Sequence, residues 1–64
     1  MAAPASEPLL DVRQVARLLR VRERWVYERA QAGDLPSFLI GRYRRFRVSE
    51  LEAWLLKQRN EDAT

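Results

Sequence analysis

The sequence predicts a mainly α domain carrying a small β-hairpin, and three observations predict it. Apolar residues recur at helical spacing in two short stretches with a three-residue gap between them. The period changes to alternation between Ser37 and Arg47, and a helix-start signature with a new apolar stripe returns at Ser49. Sixty-four residues make one domain with a thin core, too small for a deep catalytic cleft.

The opening, residues 1–8, holds alanines, prolines and a single acid, has nothing to bury, and is expected to form a flexible N-terminal arm without a role. It lacks the basic and apolar regions of a signal peptide. No apolar run approaches the roughly twenty residues of a spanning helix, so the expectation is a cytoplasmic protein with no membrane partner.

At Leu10-Asp11-Val12-Arg13-Gln14 a helix begins: Asp11 caps the exposed amides while Gln14 reaches back in a capping box, and Leu10 staples onto Val15. Val15, Leu18 and Leu19 form its apolar stripe, with Ala16 small enough for a close helix approach. Arg13, Arg17 and Arg20 lie off that stripe and serve either solubility or phosphate contact. Arg20-Val21-Arg22 is the turn, with Val21 plugging the corner. Glu23 to Gln31 is the second helix, stopped by Gly33 in the left-handed region. Val26 and Ala30 face inward, and Arg24, Trp25 and Glu28 share the opposite side. Leu35 folds back under the helices, and Pro36 bars further helix.

Two short helices joined this tightly suggest a helix-turn-helix. The outer face of the second, with cations, an aromatic ring and hydrogen-bonding groups, suits the major groove of DNA; the plain alternative is a solvated charged face. Beyond it, Phe38 and Ile40 alternate with Leu39, Gly41-Arg42 offers a tight turn, and Tyr43 to Arg47 reads as the returning strand. Phe38, Ile40 and Phe46 are expected on the inner face, Arg42 and Arg44 projecting from the tip, and Arg45 and Arg47 on the outer face. Ser49-Glu50-Leu51-Glu52 reads as a second capping box. Leu51, Trp54 and Leu55 form the stripe of a helix to about Arg59, with Trp54 the largest contributor to the core. Residues 60–64 are expected to fray.

The formal charge of +3 comes from eleven arginines and one lysine against nine acids. Phe38 to Val48 holds four arginines and no acid, whereas after Ser49 the acids Glu50, Glu52, Glu61 and Asp62 outnumber Lys57 and Arg59. Genomic base composition would account for the arginine total but not for its clustering. A basic middle favours a polyanion, and arginine brings a planar fork suited to phosphate and guanine. With no cysteine there is neither disulfide nor thiolate metal site. With no histidine, acid–base or metal chemistry would fall to carboxylates such as Glu50 and Glu52, which have no obvious partner group. The expectation is a non-enzyme with no catalytic residue, metal or cofactor.

Helix, three-residue turn, helix, Gly33-Asp34-Leu35-Pro36, arginine-rich hairpin and a capped helix with Leu51-Glu52-Ala53-Trp54-Leu55 resembles the excisionase family of small winged helix-turn-helix proteins. That family is related to the DNA-binding domain of MerR-type regulators. The resemblance runs from about Leu9 to Arg59 and is carried by Leu10 to Leu19, Val26-Tyr27, Ala32 to Pro36, Ile40-Gly41-Arg42 and Leu51 to Leu55. It implies a winged helix-turn-helix over residues 9–59, with a recognition helix from Glu23 and a two-stranded wing touching the neighbouring minor groove or backbone. By position, the groove-facing candidates are Arg22, Arg24, Trp25 and Glu28, with Tyr27 divided between packing and phosphate. The wing candidates are Arg42, Tyr43 and Arg44, and Arg13, Arg17, Arg20 and Arg45 are candidate phosphate contacts. Arg20 stands where the family often has glycine and Arg22 where it often has a Ser or Thr cap; Trp25 replaces a usually small residue.

The resemblance implies an architectural accessory on double-stranded DNA that directs site-specific recombination, with an integrase as partner. Because the chain ends soon after its last helix, copies are expected to bind adjacent sites cooperatively. The close rival is a small MerR-like transcriptional regulator. A rival of another class is a protein-interaction module in which Trp25 and Tyr43 form the contact patch.

Overall fold

The computed structural model describes residues 7–62, with side chains described as far as Arg59. Its elements are β1 (Leu9–Leu10), α1 (Val12–Leu19), α2 (Glu23–Gln31), β2 (Phe38–Ile40), β3 (Tyr43–Arg47) and α3 (Val48–Asp62). The strands form an antiparallel sheet in the order β1-β3-β2. Val15, Ala16, Val26, Ala30, Leu35, Phe46 and Leu51, none more than 5% exposed, make the core. The three helices, β3 and the loop residue Leu35 supply it, so α1 touches α2 and the sheet, and α3 lies on β3.

The capping box of α1 is closed in both directions. Asp11 Oδ1 accepts from the Gln14 amide at 2.8 Å, and Gln14 Oε1 accepts from the Asp11 amide at 3.0 Å. Arg20 ends the helix at φ 60, ψ 48, a left-handed conformation that costs a residue with a Cβ on the order of 1 kcal/mol. The apolar face is narrower than the expected stripe. Leu18 is 57% exposed and Val21, the expected corner plug, is 36% exposed, while Ala16 is buried. A close approach of α1 and α2 over Ala16 leaves no room for a wider face.

Arg22 occupies the cap position of α2 with extended backbone and no side-chain bond to the first turn. The other end is closed more firmly. With Gly33 at φ 83, its N–H donates to the Ala30 carbonyl at 3.1 Å and the Asp34 N–H to the Arg29 carbonyl at 3.0 Å, a Schellman arrangement. Leu35 follows directly and drops into the core at 1% exposure.

The hairpin register pairs Ile40 with Tyr43, Leu39 with Arg44 and Phe38 with Arg45 across Gly41-Arg42. Gly41 has φ 63 and Arg42 does not, the positive-then-negative pattern of a type II′ turn. Cross-strand partners share a face, so Phe38 and Ile40 lie with Tyr43, Arg45 and Arg47, opposite the buried Phe46. This corrects the expected inner face: Ile40 is 49% exposed, and Phe46 is joined inside by Leu10 and Arg44. β1 was not expected as a strand, because two residues carry no alternation. It pairs Leu9 with Arg47 and Leu10 with Phe46, making the sheet three-stranded.

α3 begins at Val48, two residues earlier than a Ser49 cap would start it, so Ser49 sits inside the first turn instead of capping it. Glu7 takes the capping role: its Oε2 accepts from the Ser49 N–H at 2.6 Å and its Oε1 from the Ser49 hydroxyl at 3.1 Å. A carboxylate at this end also meets the positive pole of the helix dipole. The segment read as an idle arm thus holds a residue of the fold; Met1 to Ser6 lie outside the described residues. α3 continues to Asp62, past the expected end at Arg59. Leu51 is buried, whereas Leu55 is 41% exposed and Trp54 is only half-buried. Trp54 packs on the rim of the core and donates its indole N–H to the Asp34 carbonyl at 2.9 Å. Phe46, not Trp54, is the largest fully buried side chain.

Removing the cap by Glu7→Ala is expected to lower stability by about 1 kcal/mol, on the order of 4–8 °C in Tm for a domain this size, with Glu7→Gln falling between. A thermal melt showing no change for Glu7→Ala would refute the capping role. Arg20→Gly is expected to gain less than about 1 kcal/mol, because relief of the left-handed strain is partly offset by glycine's larger loss of chain entropy. Arg20→Val should lose stability in the same melts.

Candidate nucleic-acid interface

Arg13 and Arg17 fall four apart along α1, which puts them on one exposed flank, and Arg20 is exposed at the left-handed cap that ends the helix. Where that flank meets the start of α2, a shallow hollow is lined by Arg13, Ala16, Arg17, Val21, Arg22 and Glu23. Arg22, grouped by position with the second helix, is thereby brought beside Arg13 and Arg17 of the first. Glu23 lies 3.8 Å from Arg13 Nε with both side chains more than half exposed, an ion pair worth less than about 1 kcal/mol that a phosphate oxygen can displace. The uncapped first turn of α2 adds amide N–H groups and the positive end of its dipole to the same hollow.

On the open face of α2, Arg24 Nε donates to Glu28 Oε2 at 3.1 Å. Glu28 therefore orients Arg24 through one edge of the guanidinium and leaves the terminal NH2 groups as a donor pair, the geometry that reads guanine. Tyr27 is 49% exposed, consistent with a side chain shared between packing and solvent. Gln31 shares the flank of Arg24 and Tyr27 by its spacing and is exposed, although the sequence reading passed over it. The signal was present in the period of the helix but not in the residue type. Glutamine can bond adenine with two hydrogen bonds.

Trp25 does not share this face as expected. It is half-buried, packs against the core, and lies under the Arg29 guanidinium at 5.0 Å from ring centroid to Cζ. A nine-residue helix whose buried residues are Val26 and Ala30 has little apolar surface, and the neighbouring indole supplies more.

In the wing, Arg42 is exposed at the turn and Tyr43 is 61% exposed. Arg44, expected to project from the tip, turns inward with Phe46: its terminal NH1 donates to Ser37 Oγ at 2.6 Å, and its Nε is buried with no hydrogen-bond partner. Arg45 is half-buried on the other face, donates to the Arg44 carbonyl at 2.8 Å, and lies over Tyr43 at 5.5 Å. The cause is strand alternation, which sends adjacent arginines to opposite sides.

Among the described residues no group of His, Cys, Asp or Glu is placed to hold a metal ion, and no helix is long and apolar enough to cross a membrane. A family model described as a helix-turn-helix domain matches residues 9–59 of the chain. No curated protein matches, and no solved structure matches.

Arg44 carries a desolvation cost that its hydroxyl partner only partly offsets. Arg44→Met is therefore expected to be neutral or stabilising in chemical denaturation. A loss above about 1 kcal/mol would show instead that the guanidinium anchors the wing.

Proposed function

The chain belongs to the helix-turn-helix domain family and is a small DNA-binding protein, and from that premise we propose that it is an excisionase-type architectural accessory in site-specific recombination. The observation that carries the duplex-binding geometry is the arginine-lined hollow of Arg13, Arg17 and Arg22 beside the open face of α2. A recognition helix entering the major groove needs a cationic shoulder for the adjoining phosphates, and the hollow supplies one at the helix's own N-terminus. Arg24, oriented by Glu28, and Gln31 read base edges; Arg13, Arg17, Arg20 and Arg22 hold the backbone; Arg42 meets the flanking minor groove, whose negative potential favours arginine.

The longest dimension of the domain is 36 Å, about one turn of B-DNA, so one copy covers a single major groove and its flank. Copies on adjacent sites bend the DNA cooperatively and an integrase is the protein partner. Bending by an accessory lowers the cost of bringing distant recombination sites together. A small MerR-like transcriptional regulator would make the same contacts, and excisive recombination with a cognate integrase distinguishes the two: recombination unaltered by the protein would remove the accessory role.

Two substitutions separate base reading from backbone holding. Arg24→Ala is expected to relax preference at particular base pairs by about 1–3 kcal/mol in a competition titration against random duplex. An equal loss on every sequence would make Arg24 a phosphate contact. Arg42→Ala is expected to weaken all duplexes alike and to reduce the slope of log affinity against log salt by about one.

A further inference from the structure

We infer that the outer face of the sheet is a platform for single-stranded nucleic acid, distinct from the duplex-reading face of α2. The register places Leu9, Phe38, Ile40, Tyr43, Arg45 and Arg47 together on the side away from Phe46. Tyr43 is 61%, Ile40 49% and Leu9 38% exposed, so these three side chains face solvent here, with Phe38 half-buried beside them. No strand contains an acid.

Two aromatic rings and two arginines are interleaved on this face. Arg45 lies over Tyr43 at 5.5 Å and Arg47 over Phe38 at 5.2 Å. Phe38 pairs with Arg45 and Ile40 with Tyr43, so Phe38 and Tyr43 are diagonal neighbours whose backbones lie roughly 7–8 Å apart. Arg42, exposed at the turn, extends the positive charge past the second ring.

A duplex has little use for this surface, because its base faces are hidden in the stack and it offers only phosphates and groove edges. An unpaired strand offers both phosphates and open base faces. Aromatic side chains stack on any base, and arginines beside them track the backbone, which gives affinity with little sequence preference. An acidic protein would answer the arginines alone. Tyr43, expected from the sequence at the duplex, is assigned by this arrangement to the unpaired strand.

The test is fluorescence anisotropy with a labelled oligothymidine of about ten nucleotides, a length within the site size of single-strand binders. The wild-type chain should bind it saturably. Tyr43→Ala should weaken that binding about five- to a hundredfold and exceed its effect on duplex at least fivefold, while Tyr43→Phe should restore it, since the ring and not the hydroxyl stacks. Arg24→Ala should spare the oligothymidine. Absence of oligothymidine binding would overturn the inference. So would equal losses on both substrates with Tyr43→Ala, abolition of single-strand binding by Arg24→Ala, or poly-glutamate binding with the same dependence on Tyr43. Failure of the duplex reading looks different: duplexes of all sequences would bind alike while the Tyr43-dependent oligothymidine binding remained.

Discussion

Asp34 holds the interface helix to the rest of the domain through three of its own groups. Its N–H donates to the Arg29 carbonyl at the end of α2, its carboxylate accepts from the Arg29 side chain at 2.8 Å, and its carbonyl accepts the Trp54 indole N–H from α3. Each bond is worth about 1 kcal/mol or less, but together they bind both helices to one turn. The turn exists because Gly33 can reverse the chain at φ 83 and because Leu35, two residues on, is drawn into the core. The buried residues of α2 are Val26 and Ala30. Without this joint, a helix with so small an inward face would have little to fix its orientation.

The arginines divide by what occupies them in the free protein. Arg29 is engaged with Asp34 and Trp25 and belongs to the scaffold, and Arg44 is turned under the wing onto Ser37. Arg13 and Arg24 sit in exposed, weak pairs with Glu23 and Glu28, which set a direction for the guanidinium without binding it tightly. Arg42 stands exposed at the turn. A tally of basic residues therefore overstates the surface available to a polyanion. The useful distinction is between guanidiniums spent on packing and those held in pairs that a phosphate can replace.

Sequence and structure part where side-chain facing depends on which strand lies beside which. Phe38 and Phe46 both look like core residues in an alternating stretch, yet the two-residue turn pairs Phe38 with Arg45 and sends the two rings to opposite faces. Leu18 and Leu55 sit beside buried positions in helices and are left outside, because the neighbours that approach are closer and fewer than a full apolar stripe would need. Trp25 reads as outward on a wheel drawn for an isolated helix, and the core draws it in. Gln31 was legible from its spacing but not from its type.

What the sequence by itself determined are the features closed within a few residues: the Asp11–Gln14 capping box, the stop at Gly33, the break at Pro36, the Gly41-Arg42 turn and the burial of Val26, Ala30 and Leu51. Those follow from local hydrogen bonding and helical period, which need no knowledge of the rest of the chain. Only the tertiary structure decided that Glu7 caps the helix at Ser49 and that Leu10 joins Phe46 as a third strand. The physical reason is separation along the chain. A bond between residues some forty positions apart forms only when the whole core has closed, and no local pattern records which distant residue will arrive.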